Sequence, residues 1–268
     1  MTDAMSDTTG VQALGGFVSS FRYEDLKPAD QTRVKIRLLN LIGSVFAAHQ
    51  HVGTELGLMY ARRVASSGPC SFWLSEAKGS IEDCAFVNSI LSHSAMLDDT
   101  VTHTGCVLIP AALSVAESRN RPGAEILAAL ALGYEVTARI EAGYGFPGAV
   151  MAQGFRHSWP AVFGAATAAA LLLGLSADGI ADTLALTTTL CVPGTMAWFA
   201  TWSSPEEAKR IGKWGTSERY VQLAANAKKR CLLLHSLTPG FMGSARPSRL
   251  TAAYSPYTQV PVDCRTNF

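Results

Sequence analysis

Charge is scarce in this chain: Asp, Glu, Lys and Arg make up only 16% of it, and they leave a formal net charge of +1. No basic stripe stands out, so the electrostatic footprint that a nucleic acid or another polyanion would need is missing. Cysteines are few and scattered. The six, at positions 70, 84, 106, 191, 231 and 264, form no C-x-x-C pair and no His/Cys ligand spacing, which indicates neither a disulfide framework nor a zinc site. A reducing cytoplasm is the simplest compartment, with a mitochondrion as the alternative in a eukaryote. The polar start, MTDAMSDTTG, lacks the basic-then-apolar profile of a signal peptide. Also missing are the alternating β-branched runs of a sheet protein and any short internal repeat.

Two stretches without a charge, Ser158 to Ala177 and Thr183 to Pro205, have the length of a membrane span. The first is mostly Ala and Gly with Leu at one end, and the second is broken by Pro193-Gly194 and rich in Thr and Trp. Both read as helices buried at the centre of a large helical domain, and no membrane partner is expected.

What is present is helical periodicity. Asp30 suits the N-cap of a helix through Ala48, with Val34, Leu38, Leu41, Ile42 and Val45 at the 3.6-residue period while Arg33, Lys35 and Arg37 face water. A linker containing Gly and Ser is expected next, with a short extended segment around Ser71 to Leu74. Ser80-Ile-Glu-Asp83 resembles a capping box and opens a helix that runs on into HSAMLDDT. Pro110 suits the first turn of the next helix, which continues through Glu117. Pro122-Gly123 breaks the chain before a helix over Ala124 to Tyr144, with Ile126, Leu127, Leu130 and Tyr134 on one face. Helix after helix with short breaks predicts an all-α bundle.

Within this apolar setting, HSAMLDDTVTHTGCVLIP, from His93 to Pro110, carries two histidines, two adjacent aspartates and three threonines. Ionisable groups among apolar helices are costly unless paired, and their proton affinities move toward the range where acids and bases work. If the helix ending near Leu97 continues, Asp99 and His103 lie one turn apart on one face, with Thr100 beside them. A carboxylate would then orient an imidazole next to a hydroxyl. The plain alternative is that Asp98 or Asp99 caps the following segment and His103 is a half-buried structural histidine.

A second polar island, Gly154-Phe-Arg-His-Ser-Trp-Pro160, precedes the Ala-rich stretch. A helix N-terminus flanked by Arg156 and His157 suits a carboxylate, because free N–H groups, the macrodipole and the guanidinium all favour an anion. A solvated loop anchored by Trp159 is the other reading. Lys209, Arg210, Lys213 and Arg219 form a looser cationic run, the usual sign of a solvated face.

In order along the chain, the His-x4-Asp-Asp-Thr segment, a Thr-His shortly after, IPAALSVAE, PGAEILAALALGYEVTARI, GFRHSWPAVFGAATAAALLLGL and ERYVQLAANA resemble the MmgE/PrpD family over roughly residues 11 to 227. The resemblance implies a large all-α domain plus a smaller α+β domain, assembled as a homodimer with its site near the domain junction. It also implies chemistry without a metal or other cofactor on small di- or tricarboxylates: dehydration of 2-methylcitrate, decarboxylation of cis-aconitate or epimerisation of iminodisuccinate. These reactions share a carbanion-like centre beside a carboxylate, so they need a proton-transfer group and cations. Asp99 and Thr100 match the family's Asp-Asp-Thr motif, His103 its following histidine, and His157 falls in the block with its second histidine. Carried over, the resemblance makes His103 the proton-transfer residue, Asp99 its orienter, Thr100 a substrate contact and Arg156 with His157 the carboxylate holders, and Asp98, Lys213 and Arg219 are further substrate-binding candidates.

The chain also departs from the family. Met96 stands where many members carry an acid two residues before the Asp-Asp pair, and Arg219 where lysine is common, which exchanges a flexible ammonium for a planar, permanently charged fork. After Ala227 the match stops. Lys228-Lys229-Arg230-Cys231 replaces a family continuation resembling A-R-N-G-V, and a one-base shift of codons for the former spells Arg-Asn-Gly. The sequence therefore predicts a helical domain over 1–227 and a frameshifted, poorly ordered tail over 228–268, with the α+β domain missing. Two functions follow: a metal-independent lyase of the dehydratase or decarboxylase type, or a catalytically inactive helical protein, either a truncated gene product or a dimerisation partner of a full-length paralogue.

Overall fold

The computed structural model describes residues 9–97, 99, 103–143 and 160–190, with the backbone alone at 189 and 190. Among the described residues there are eight α-helices and one short hairpin. The helices are α1 (Gly10–Ser20), α2 (Pro28–Ala47), α3 (Val52–Val64), α4 (Ile81–His93), α5 (Gly105–Ser118), α6 (Gly123–Gly143), α7 (Ala161–Leu173) and α8 (Ala177–Leu190). The hairpin strands are β1 (Cys70–Ser71) and β2 (Lys78–Gly79), antiparallel, with Cys70 opposite Gly79. The expected all-α architecture is what forms.

Composition explains which helices are central. In α7 every residue from Ala161 to Ala170 is buried, and in α5 nearly all are, because neither presents a polar face. A helix that is apolar all round has to be enclosed by others. Accordingly α7 packs on α5, α6, α8 and α1, while α4 packs on α5 and α3. The small side chains of α7 let those neighbours approach closely. Leu108, Ile109, Leu130, Leu132, Leu172 and Ile180 fill the layers between them, each contributing roughly 1.5–3 kcal/mol of burial. None of the described helices is long and apolar enough to cross a membrane.

Helix ends follow local chemistry, with instructive exceptions. Ser80 caps α4 by accepting from the Asp83 N–H at 3.1 Å, as its sequence predicts. The first helix of the pattern begins earlier than Asp30: Lys27 is the N-cap and Pro28 the first helical residue, since proline has no N–H to leave unpaired there. Asp30 sits in the first turn and pairs with Arg33 at 2.8 Å. Ile42, expected in the core, is 36% exposed, whereas Val34, Leu41 and Val45 are buried.

Two further expectations are corrected. The segment after Ala48 is the helix α3 rather than a linker. Its Gly57 weakens intrinsic helicity but lies so close to α4 that a Cβ would meet Leu91 Cδ2 at 3.1 Å and Ile90 Cγ2 at 3.2 Å, so helix packing outweighs propensity. Helix α1, on which the sequence carries no expectation, is capped by a reciprocal Thr9–Gln12 box and laid against α8. Pro110 lies inside α5 instead of in its first turn, because α5 already begins at Gly105.

Candidate active site

The earlier start of α5 has an electrostatic cause. Asp99 is 6% exposed, and its Oδ2 accepts the Gly105 backbone N–H at 2.8 Å. A carboxylate at a helix N-terminus satisfies an orphan donor and meets the positive end of the macrodipole. The same Oδ2 accepts the Tyr134 hydroxyl of α6 at 2.6 Å, and Oδ1 accepts Arg37 Nη1 of α2 at 2.9 Å. A buried carboxylate is tolerated only with such compensation. Three elements, α2, α5 and α6, therefore converge on one side chain.

The geometry leaves little slack. A Cβ on Gly105 would stand 2.8 Å from Asp99 Oδ2 and 2.9 Å from the Tyr134 hydroxyl, so only glycine lets both donors reach that oxygen. Burial pushes the Tyr134 hydroxyl well above its ordinary proton affinity, and the Asp99 charge and hydrogen bond push it further the same way. Tyr134 thus remains a donor at neutral pH.

Asp99 is not one turn from His103 on a continuous helix. α4 ends at His93, and the chain turns, with the Met96 N–H donating to the His93 carbonyl at 3.0 Å and Met96 at φ +53°. Asp99's oxygens are taken by Arg37, Tyr134 and Gly105. His103 lies in the short span between Asp99 and Gly105 and itself has φ +52°, a left-handed backbone that costs a non-glycine residue stability and concentrates at functional sites. Its carbonyl accepts the Cys106 thiol at 3.1 Å. Its imidazole meets that of buried His93 edge-to-face, with ring centroids 4.7 Å apart.

Of the residues singled out in the sequence, the structure describes Asp99, which accepts the Gly105 N–H, and His103, two residues before that glycine. Asp98, Thr100, Arg156, His157, Lys213 and Arg219 lie outside the described residues, as does the stretch 228–268. α7 does start right after Pro160, where the second polar island predicts a helix N-terminus. Sequence reasoning missed Arg37, Tyr134, Gly105 and His93. Arg37 carries no signal distinguishing it from Arg33 one turn earlier. Tyr134 gave a faint one: a hydroxyl on an otherwise apolar helix face, which when buried needs a partner. Among the described residues no group of three His, Cys, Asp or Glu side chains is placed to hold a metal ion.

An α-helical domain enclosing a central apolar helix, with an ionisable loop pinned at a helix N-terminus, is the class that fold and site define. The chain belongs to the MmgE/PrpD family: the model of the MmgE/PrpD N-terminal domain matches residues 12–229. A search of the curated proteins finds no match to it.

Proposed function

We propose that the chain is a metal-independent lyase acting on a small di- or tricarboxylate, of the 2-methylcitrate dehydratase or cis-aconitate decarboxylase type. The observation that carries this reading is His103, held in left-handed backbone against the buried His93 ring on a loop whose neck is fixed by Asp99. Histidine can take or give a proton near neutrality without assistance. In a dehydration His103 accepts the proton from the carbon beside a carboxylate, the electron pair of that C–H bond forms the C=C bond as the C–O bond breaks, and the leaving hydroxide takes a proton from solvent to depart as water. In a decarboxylation the C–C bond to the carboxylate breaks, carbon dioxide leaves, and the electron pair left on the carbon framework takes a proton given by His103. Thr100 contacts substrate, and Arg156, His157, Asp98, Lys213 and Arg219 complete its binding. Asp99 acts through the loop rather than on the substrate.

Incubation of the full chain with 2-methylcitrate, cis-aconitate and iminodisuccinate tests the reading. Turnover of one of them, lost in His103→Ala, is the expected result. No turnover of any, together with no rise in melting temperature when a di- or tricarboxylate is added, overturns it, because binding to the native state must stabilise it.

The reading includes a homodimer. Ile36, Leu39 and Phe46 on α2 and Val52, Leu56 and Met59 on α3 are large, apolar and exposed, and an apolar surface of that kind suits a second copy better than water.

A further inference from the structure

The span from Asp99 to Gly105 contains His103, and the hydrogen bond from the Gly105 N–H to Asp99 Oδ2 closes its neck. That neck is tied at two other points, to α2 through Arg37 and to α6 through Tyr134. The Arg37 guanidinium also lies 6.0 Å from the centroid of the Tyr134 ring, so the two donors brace one another as well as the carboxylate. Neither side chain is needed to cap α5, since Asp99 alone does that. What they add is a fixed place and orientation for the carboxylate relative to two helices, and hence for the start of α5 and for His103 just before it.

From this geometry we infer that Arg37 and Tyr134 are positioning residues for His103, acting through Asp99. The inference rests on the reading of His103 as the proton-transfer residue. Tyr134 supplies a short, neutral, directional donor. Arg37 supplies a half-exposed cation that offsets the buried charge while its head stays in contact with water. Removing either lets the carboxylate swing, which weakens its bond to the Gly105 N–H and frees His103, two residues before that glycine, to move.

The experiment uses the full chain with Tyr134→Phe, Arg37→Met and Arg37→Lys. Three quantities are read: hydrogen exchange of the Gly105 amide, the imidazole resonances of His103, and kcat and KM on whichever of the three substrates is turned over. Tyr134→Phe and Arg37→Met are expected to speed Gly105 exchange by about tenfold or more, the equivalent of one weakened hydrogen bond. They are expected to shift the His103 ring resonances and to lower kcat by about tenfold or more with KM little changed, since misplacing a reacting group costs rate rather than binding. Arg37→Lys, which keeps the charge, is expected to recover part of each effect. Tyr134→Phe removes one oxygen and keeps the ring, which guards against trivial unfolding. Unaltered Gly105 exchange and His103 resonances in both Tyr134→Phe and Arg37→Met overturn the inference, even if their melting temperatures fall. If the wild-type chain turns over none of the substrates and no di- or tricarboxylate raises its melting temperature, the proposed function fails while the exchange and ring resonances still decide the positioning role.

Discussion

Replacing Gly105 by alanine tests the geometry of the carboxylate anchor most directly. A Cβ there would sit 2.8 Å from Asp99 Oδ2 and 2.9 Å from the Tyr134 hydroxyl, inside ordinary contact with both. Neither atom is the free end of a flexible chain, because Asp99 is buried and held by Arg37 and Tyr134 comes from the well-packed α6. One of them has to move by a few tenths of an ångström, which weakens two hydrogen bonds to a charged oxygen at once. Bonds to a charged group contribute about 1.5–3 kcal/mol each, so partial loss of two costs about 2–4 kcal/mol. Against this, alanine is a better helix former than glycine by at most about 1 kcal/mol, and less at a first-turn position than in a helix interior. The net expectation is a destabilisation of about 1–3 kcal/mol, a fall in melting temperature of roughly 3–10 °C for a chain of this size. Thermal unfolding followed by far-ultraviolet circular dichroism measures it. A Gly105→Ala protein as stable as the wild type, or more so, would refute the idea that this glycine exists to admit the two donors.

Alkaline titration offers an independent check on Tyr134. Its proton affinity is raised in the folded state above an unfolded value near 10, so its contribution to stability is complete below pH 10 and is lost progressively as pH rises beyond it, at up to about 1.4 kcal/mol per pH unit. The Cys84 thiol, raised by its hydrogen bond with Cys70 and by burial from an ordinary value of 9.0, acts with the same sign. Denaturant titrations between pH 9 and 11 should therefore slope downward in wild type and less steeply above pH 10 in Tyr134→Phe, and identical slopes would contradict the assignment. Cys70, Cys84 and Cys106 are buried; peptide mapping after iodoacetamide treatment should find them alkylated in denaturant and protected without it. Gly57→Leu should destabilise the fold by about 1–3 kcal/mol through overpacking against Leu91 and Ile90, and an unchanged denaturation midpoint would mean that α3 can shift away from α4. Phe46→Glu places a charge on the exposed α2 face; light scattering should show the proposed homodimer giving way to monomer, and a wild type already monomeric at micromolar concentration would remove that face from consideration as a self-association surface.

The sequence by itself determined the helical class and the identity of the central helix. An Ala-rich run without a charge cannot be satisfied at a surface, so the burial of α7 on all sides follows from composition alone. It also marked His103 and Asp99 as costly groups needing partners. Propensity misled it where glycine serves packing, as at Gly57 in α3, and where a proline is admitted within a helix that starts early, as at Pro110 in α5. What only the tertiary structure decided is which partners those costly groups receive. Spacing puts Asp99 near His103 because spacing knows only neighbours along a helix, whereas a buried carboxylate is settled by whichever donors the packing delivers. Here those come from Arg37 on α2 and Tyr134 on α6, positions far from Asp99 in sequence, and from the N–H of Gly105, which can donate only because that residue lacks a side chain.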